Sequence, residues 1–171
     1  GGALGTPSSG SLGSCSNYGT IGTPTATTSG ATITITGIPS TAKRIVICFV
    51  GVSTTGSDSP MIQLGNGSID ATGYLSAASQ IAGSVSTANS TTGFLSGNGG
   101  SSGYVRNGVM ILEYAGSNTW VCSCSLGSSD SAIMYVSAGS KVLGGTLDRV
   151  RLTTTGGTDT FDAGSITVNY F

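Results

Sequence analysis

The residues able to do chemistry are few, and their types exclude most of it. The 171-residue chain has no His, six Lys and Arg, and seven Asp and Glu. Without His, no Ser-His-Asp triad can form. Glu113 is the one Glu and sits at the end of an apolar run. No motif pairs it with an Asp, so the two opposed carboxylates of a glycosidase are not indicated. Cys122 and Cys124 are two apart, with Cys15 and Cys48 distant in sequence. Tetrahedral zinc wants four N or S ligands, and a lone Cys-x-Cys without His falls short. These thiols are expected to be reduced and structural. Asp58, Asp70 and Asp130 lie in separate loops without the Asp-x-Asp-x-Asp spacing of a calcium loop. Gly97-Asn98-Gly99-Gly100 lacks the Lys and the following helix of a phosphate loop. No enzyme activity, metal or cofactor is expected.

Recognition remains. Sugars are held by aromatic faces stacked on the ring, with Asn, Asp, Ser and Arg fixing the hydroxyls. Tyr104, beside Arg106 and Asn107 at the end of a polar stretch, forms the preferred contact patch. Asn98, Asp58 and Asp130 come from expected loops and add polar contacts; each also reads as an ordinary turn residue. Trp120 follows a turn and alternates with Cys122, which reads as a core side chain, with a ligand contact as the alternative. Tyr74 and Tyr135 are second choices, expected to be half-buried in strands.

The elements that must hold these residues are strands. The 29 Gly are too many for helices, where each costs about 1 kcal/mol against Ala. Apolar residues make up 37% and charged residues 8%, the opposite of a disordered chain. Residues 1–30, rich in Gly, Ser, Thr and Pro, read as an extended lead-in. Ala31 to Thr36 alternates strictly. Ala42 to Val52 is apolar on both faces, as a central strand should be. Short strands follow at Met61–Leu64 and Tyr74–Ala78. The small, polar stretch from Ser84 to Gly103 holds a strand near Gly93–Leu95 and then a long exposed loop of the kind often used for function. Val109–Tyr114 and Trp120–Leu126 make a hairpin across Ala115-Gly116-Ser117-Asn118. Trp120, Cys122, Cys124 and Leu126 share one face. Ile133–Val136 and Ser140–Leu143 are two short strands. Leu147–Thr153 points Val150 and Leu152 inward and Arg149 and Arg151 outward, and Ile166–Tyr170 closes the chain. Eight to ten short strands joined by Gly-rich turns indicate an all-β, antiparallel β-sandwich of the jelly-roll kind over residues 31–171.

Charge narrows the partners. A net charge of -1 leaves no basic patch for nucleic acid or for an anionic membrane surface. No apolar run approaches the roughly 20 residues that span a bilayer. The opening Gly1-Gly2-Ala3 lacks an initiator Met, so the chain is expected to be a piece of something longer. Asp148, Arg149, Arg151, Asp159 and Asp162 hold five of the thirteen charges. That cluster either pairs across subunits of a closed homo-oligomer or covers a solvated strand and turn.

Three stretches carry a family resemblance. Gly5-Thr6-Pro7-Ser8-Ser9-Gly10-Ser11-Leu12 resembles the spacer before a distal domain in bacteriophage tail-fibre proteins. Leu147-Asp148-Arg149-Val150-Arg151-Leu152-Thr153-Thr154, running through Gly156-Gly157-Thr158-Asp159 to Ile166-Thr167-Val168-Asn169-Tyr170, is similar to the closing hairpin of phage tail-fibre and tail-spike C-terminal domains. Gly37-Ile38-Pro39, then a central strand and Gly51-Val52-Ser53-Thr54-Thr55-Gly56, is also typical of that group. The middle matches only by strand pattern. The resemblance implies a homotrimeric fibre tip, attached N-terminally to the rest of a tail fibre. Such a tip is made in the host cytoplasm, is carried on the virion and binds a host surface glycan or protein. A structural virion part that recognises nothing is the alternative, and a polysaccharide depolymerase a weaker one.

Overall fold

The computed structural model describes residues 19–128 and 130–171. The spacer around Gly5–Leu12 and Cys15 lie outside them. Among the described residues there are thirteen strands and no helix: β1 (Thr25–Ala26), β2 (Ile33–Thr36), β3 (Arg44–Thr54), β4 (Pro60–Asn66), β5 (Ser68–Asp70), β6 (Tyr74–Ile81), β7 (Val85–Ser90), β8 (Phe94–Leu95), β9 (Arg106–Gly116), β10 (Thr119–Ser128), β11 (Ile133–Val142), β12 (Arg149–Thr154) and β13 (Phe161–Tyr170).

They form two antiparallel sheets packed as a β-sandwich. The larger has eight strands in the order β1-β13-β3-β9-β10-β11-β6-β7. The smaller runs β2-β12-β4-β5, with β8 also paired to β4. The sandwich is as expected, but its strand order departs from a simple jelly roll of eight strands in two Greek keys. Here the larger sheet alone holds eight, and β9-β10-β11 is a plain meander.

Alternation builds the core. Ile45, Ile47 and Phe49 of β3, Met110 and Leu112 of β9, and Trp120, Cys122, Cys124 and Leu126 of β10 all turn inward and are buried. Ile62 and Leu64 of β4 and Val150 and Leu152 of β12 join the same cluster from the smaller sheet. Cys48, Cys122 and Cys124 are free thiols. Burial pushes the Cys122 thiol up, and that of Cys124 up to about 12, so both stay protonated and unreactive.

Two differences from expectation have physical causes, and the charge cluster has partners inside the chain. Residues 19–30 are extended, but they belong to the sandwich: Thr20 bridges Tyr170, and β1 pairs with β13. The two short strands expected at 133–136 and 140–143 are one, because Ser137, Ala138 and Gly139 continue the ladder against β10 and β6. The charge cluster is satisfied within the chain. Arg149 grips Asp148 at 2.8 Å, Arg151 donates to Gln63, and Asp162 accepts from Ser53.

Two features fix the frame. β3 and β13 bulge together where Gly51 and Gly164 meet, with φ of 66° and 86°. A Cβ on Gly164 would lie 2.3 Å from the Gly51 carbonyl oxygen, whereas Gly37, at φ 82°, has open space around it. The second feature is buried. Lys141 is 5% exposed, pairs with Asp70 at 2.6 Å and donates to the Thr72 carbonyl at 2.7 Å. Its ammonium also lies 5.2 Å from the Tyr74 ring centre. The Tyr74 hydroxyl donates to the Asp70 carbonyl and accepts from the Leu64 N–H, tying β5 and β6 to β4.

Gly164→Ala is expected to lower unfolding stability in urea by about 2 kcal/mol or more, because strain and a backbone clash add. Gly37→Ala, with strain alone, should cost about 1 kcal/mol. Lys141→Met should cost about 1–2 kcal/mol at neutral pH, because Asp70 loses a charged hydrogen bond but keeps water on its exposed side. The hydrogen bond from Lys141, foremost, holds the Asp70 carboxyl below its ordinary value. Its stabilising contribution is therefore full above the unfolded pKa of about 4 and is lost as pH falls through the lower folded value. The gap between wild type and Lys141→Met should shrink on acidification below about pH 4, read by urea titrations at several pH values.

Candidate functional site

Strand directions sort the connections into two poles. The entry pole holds Thr20, Tyr170, the start of β3, the β9–β10 turn and the end of β11. The opposite loop pole gathers 55–59, 82–84, 96–105, 127–128, 130–132 and 155–160. The register places them together: Thr54 lies opposite Phe161, Thr154 opposite Pro60, Val52 opposite Arg106, Ser128 opposite both Arg106 and Ile133, and Ile81 opposite Val85. Of the seven residues expected to contact a ligand, Asp58, Asn98, Tyr104, Arg106, Asn107 and Asp130 are at this pole. Trp120 begins β10 near the other.

Their exposure divides them. Asn107 and Asp130 are exposed, and Asp58, Asn98 and Tyr104 half-buried. Trp120 is 3% exposed and packs on Tyr114, the core position its alternation indicated, so it leaves the set of candidate ligand contacts. Tyr74 and Tyr135 are fully buried too, beyond the half-burial expected. Arg106 is also corrected. It opens β9 three residues before the expected strand start, and alternation turns it between the sheets, where it is 0% exposed.

The polar residues of this pole mostly close loops. Asp159 accepts from the Asp58 N–H at 2.8 Å, and Asp58 accepts from the Gly156 N–H at 3.0 Å. These two carboxylates lace 55–59 to 155–160. Asn107 accepts from the Gly51 N–H at the β3 bulge. Asp130 accepts from the Ser128 hydroxyl at 2.7 Å, the leading reason its carboxyl lies below the ordinary value. Arg106 donates from Nη2 to the Gly99 carbonyl at 2.8 Å and lies over the Tyr135 ring, 4.9 Å from its centre. Its Nε and Nη1, and the Tyr135 hydroxyl, find no hydrogen-bond partner among the described residues. Burial lowers the Arg106 pKa and raises that of Tyr135. Tyr104 packs on the core beside them.

A groove of about 510 Å³ opens beside this pole, where the inner side of β7 faces the loops of the smaller sheet. Ser57, Ser59, Ser90, Thr92, Asn98 and Thr155 line it, over Leu95. Its lining is hydroxyl and amide, without a charged or aromatic side chain. Of the expected contacts only Asn98 lies on it, donating to Ser86 at 3.1 Å. Serine and threonine are common throughout the chain, so no local sequence signal marks those that line the groove. Among the described residues no group of three or more His, Cys, Asp or Glu is placed to hold a metal ion. No protein-family model, curated protein or solved structure matches the chain.

Asp58→Ala and Asp159→Ala are each expected to cost about 1 kcal/mol in urea unfolding, the net worth of one or two loop hydrogen bonds. The double variant should cost less than the sum of the two, because both act on one pair of loops.

Proposed function

We propose that this chain is the receptor-binding tip of a bacteriophage tail fibre or tail spike. It works as a homotrimer on the virion and holds a host surface polysaccharide without cleaving it. The observation that carries the reading is polarity. The lead-in enters at one pole, while the long loop, five of the expected contacts that retain exposure and the hydroxyl-lined groove lie toward the other. A fibre tip needs this division between an attached end and a variable, outward end. The groove suits a neutral sugar: hydroxyl and amide groups exchange hydrogen bonds with ring hydroxyls, and the partly exposed Ala88 offers a small apolar patch for ring carbons. The resemblance of the closing hairpin and of the Gly51–Gly56 region to tail-fibre tips supports the same reading.

The test is an array of bacterial surface polysaccharides, followed by titration of any glycan bound. Asn98→Ala and Thr155→Ala should each weaken binding about three- to tenfold, the worth of one hydrogen bond. With no charge lining the groove, affinity should change less than about twofold from low to high salt. A blank array with intact fold would overturn the receptor reading in favour of a structural virion domain. A steep salt dependence would move the site to the carboxylates of the loop pole.

A further inference from the structure

The chain holds three Asn-Gly pairs: Asn66-Gly67, Asn98-Gly99 and Asn107-Gly108. Such a pair carries chemistry of its own. The glycine nitrogen, having given its proton to water or hydroxide, attacks the carbonyl carbon of the asparagine side chain. A C–N bond forms, the carboxamide nitrogen takes up a proton and leaves as ammonia, and a cyclic imide remains. Water opens the imide to aspartate, or to an isomer whose backbone runs through the side-chain carbon. Water is the only reagent. Glycine is the most permissive follower because no Cβ shields its nitrogen.

The fold treats the three pairs differently. The Gly67 N–H donates to the Asp148 carboxylate at 3.1 Å. That bond holds the proton that must leave, and its negative charge opposes an anion on the nitrogen. Asn107 is fixed through its side-chain oxygen, which accepts from the Gly51 N–H at 2.8 Å. Gly108 lies in the ladder between Phe49 and Leu126. Neither pair can bring carboxamide and nitrogen together without leaving its partners.

Asn98 and Gly99 are different. They lie outside any strand and are half-buried in the 96–105 loop. Among the described residues the Gly99 N–H donates no hydrogen bond. The Asn98 carboxamide has one tie, from Nδ2 to the Ser86 hydroxyl at 3.1 Å. The nearby charge is positive: Arg106, fully buried, donates to the Gly99 carbonyl at 2.8 Å and pairs with none of the carboxylates. A cation there lowers the cost of an anion on the Gly99 nitrogen. The backbone also holds glycine at this position, because Gly99 has φ of 80° and a Cβ would meet the Gln80 carboxamide.

We propose that Asn98-Gly99 is a site of spontaneous modification, at which the Asn98 carboxamide becomes a carboxylate. A groove whose lining is uncharged then acquires a negative charge. The carboxylate no longer donates to Ser86, nor to a sugar hydroxyl; the second consequence rests on the receptor reading. The isomer adds a backbone atom to a wall without slack, where a Cβ on Gly97 would meet the Tyr135 ring and one on Gly100 the Ser57 carbonyl.

The test is a timed incubation of the full chain at mildly alkaline pH, native and unfolded in urea, read site by site by peptide mass mapping. In urea the three asparagines should convert at similar rates, since each precedes glycine. In the native protein Asn98 should convert within about twofold of its rate in urea, or faster. Asn66 and Asn107 should slow about tenfold or more, because a charge-assisted hydrogen bond or a ladder contact must break first. Equal native rates at the three sites, or an Asn98 as slow as the other two, would overturn the proposal. For any polysaccharide bound on the array, Asn98→Asp should weaken binding about three- to tenfold. Undiminished binding by Asn98→Asp would remove the consequence for the groove. A blank array beside rapid conversion of Asn98 removes the receptor reading and leaves the modification.

Discussion

Between the two sheets, Ile47, Met110 and Leu112 of the larger share one buried cluster with Ile62, Leu64 and Leu152 of the smaller. This apolar layer is the constraint on which the rest depends. The chain has few ion pairs, and surface pairs contribute little in any case. What holds the fold is burial between faces, at about 25 cal/mol per Å², together with the ladders that let strands present those faces. The long strands β9, β10 and β11 therefore alternate, while β4 is buried along almost its whole length, and the loops are free to be small and polar.

That layer must end somewhere, and each end is closed by an inward cation over a tyrosine ring. At the entry pole Lys141 lies over Tyr74, with the Asp70 carboxylate and the Thr72 carbonyl completing its shell. At the loop pole Arg106 lies over Tyr135 with one hydrogen bond, to the Gly99 carbonyl. The two closures differ in what completes them: a carboxylate and a carbonyl for the ammonium, a loop carbonyl for the guanidinium. The 96–105 loop that supplies that carbonyl is tied to β4 by Ser96, whose N–H and hydroxyl donate to the Pro60 carbonyl, and to Asp130, which accepts from the Val105 N–H.

The sequence showed what alternation encodes. Ile33 and Ile35, the face of Trp120 to Leu126, and the inward Val150 and Leu152 were all readable from period-two spacing. β7 was not, because Val85-Ser86-Thr87-Ala88-Asn89-Ser90 has too little apolar content to alternate; it is a strand only because β6 offers it a ladder. Arg106 was misplaced for a related reason: a charged residue beside Gly and Asn looks like loop, and only the register against Val52 and Ser128 shows a strand. The loop residues were legible as loops. That Asp58 and Asp130, far apart in sequence, meet at one pole is topology, which no local pattern carries.

The mismatch between the sheets explains the groove. Eight strands cannot be covered by the smaller sheet, and the uncovered margin falls at β6 and β7. An uncovered inner face cannot be apolar without exposing core-like surface, so this margin is built from Ala88, Ser90 and the neighbouring Thr92. β8 then folds back onto β4 and draws Leu95 beneath the margin, where Met61 and Ala78 pack with it. The outcome is a concave, hydroxyl-rich surface held by strands on one wall and by the Asp58 and Asp159 lacing on the other. A site of that construction keeps its shape without ligand, and loses less on binding to side-chain ordering than one made of long side chains would.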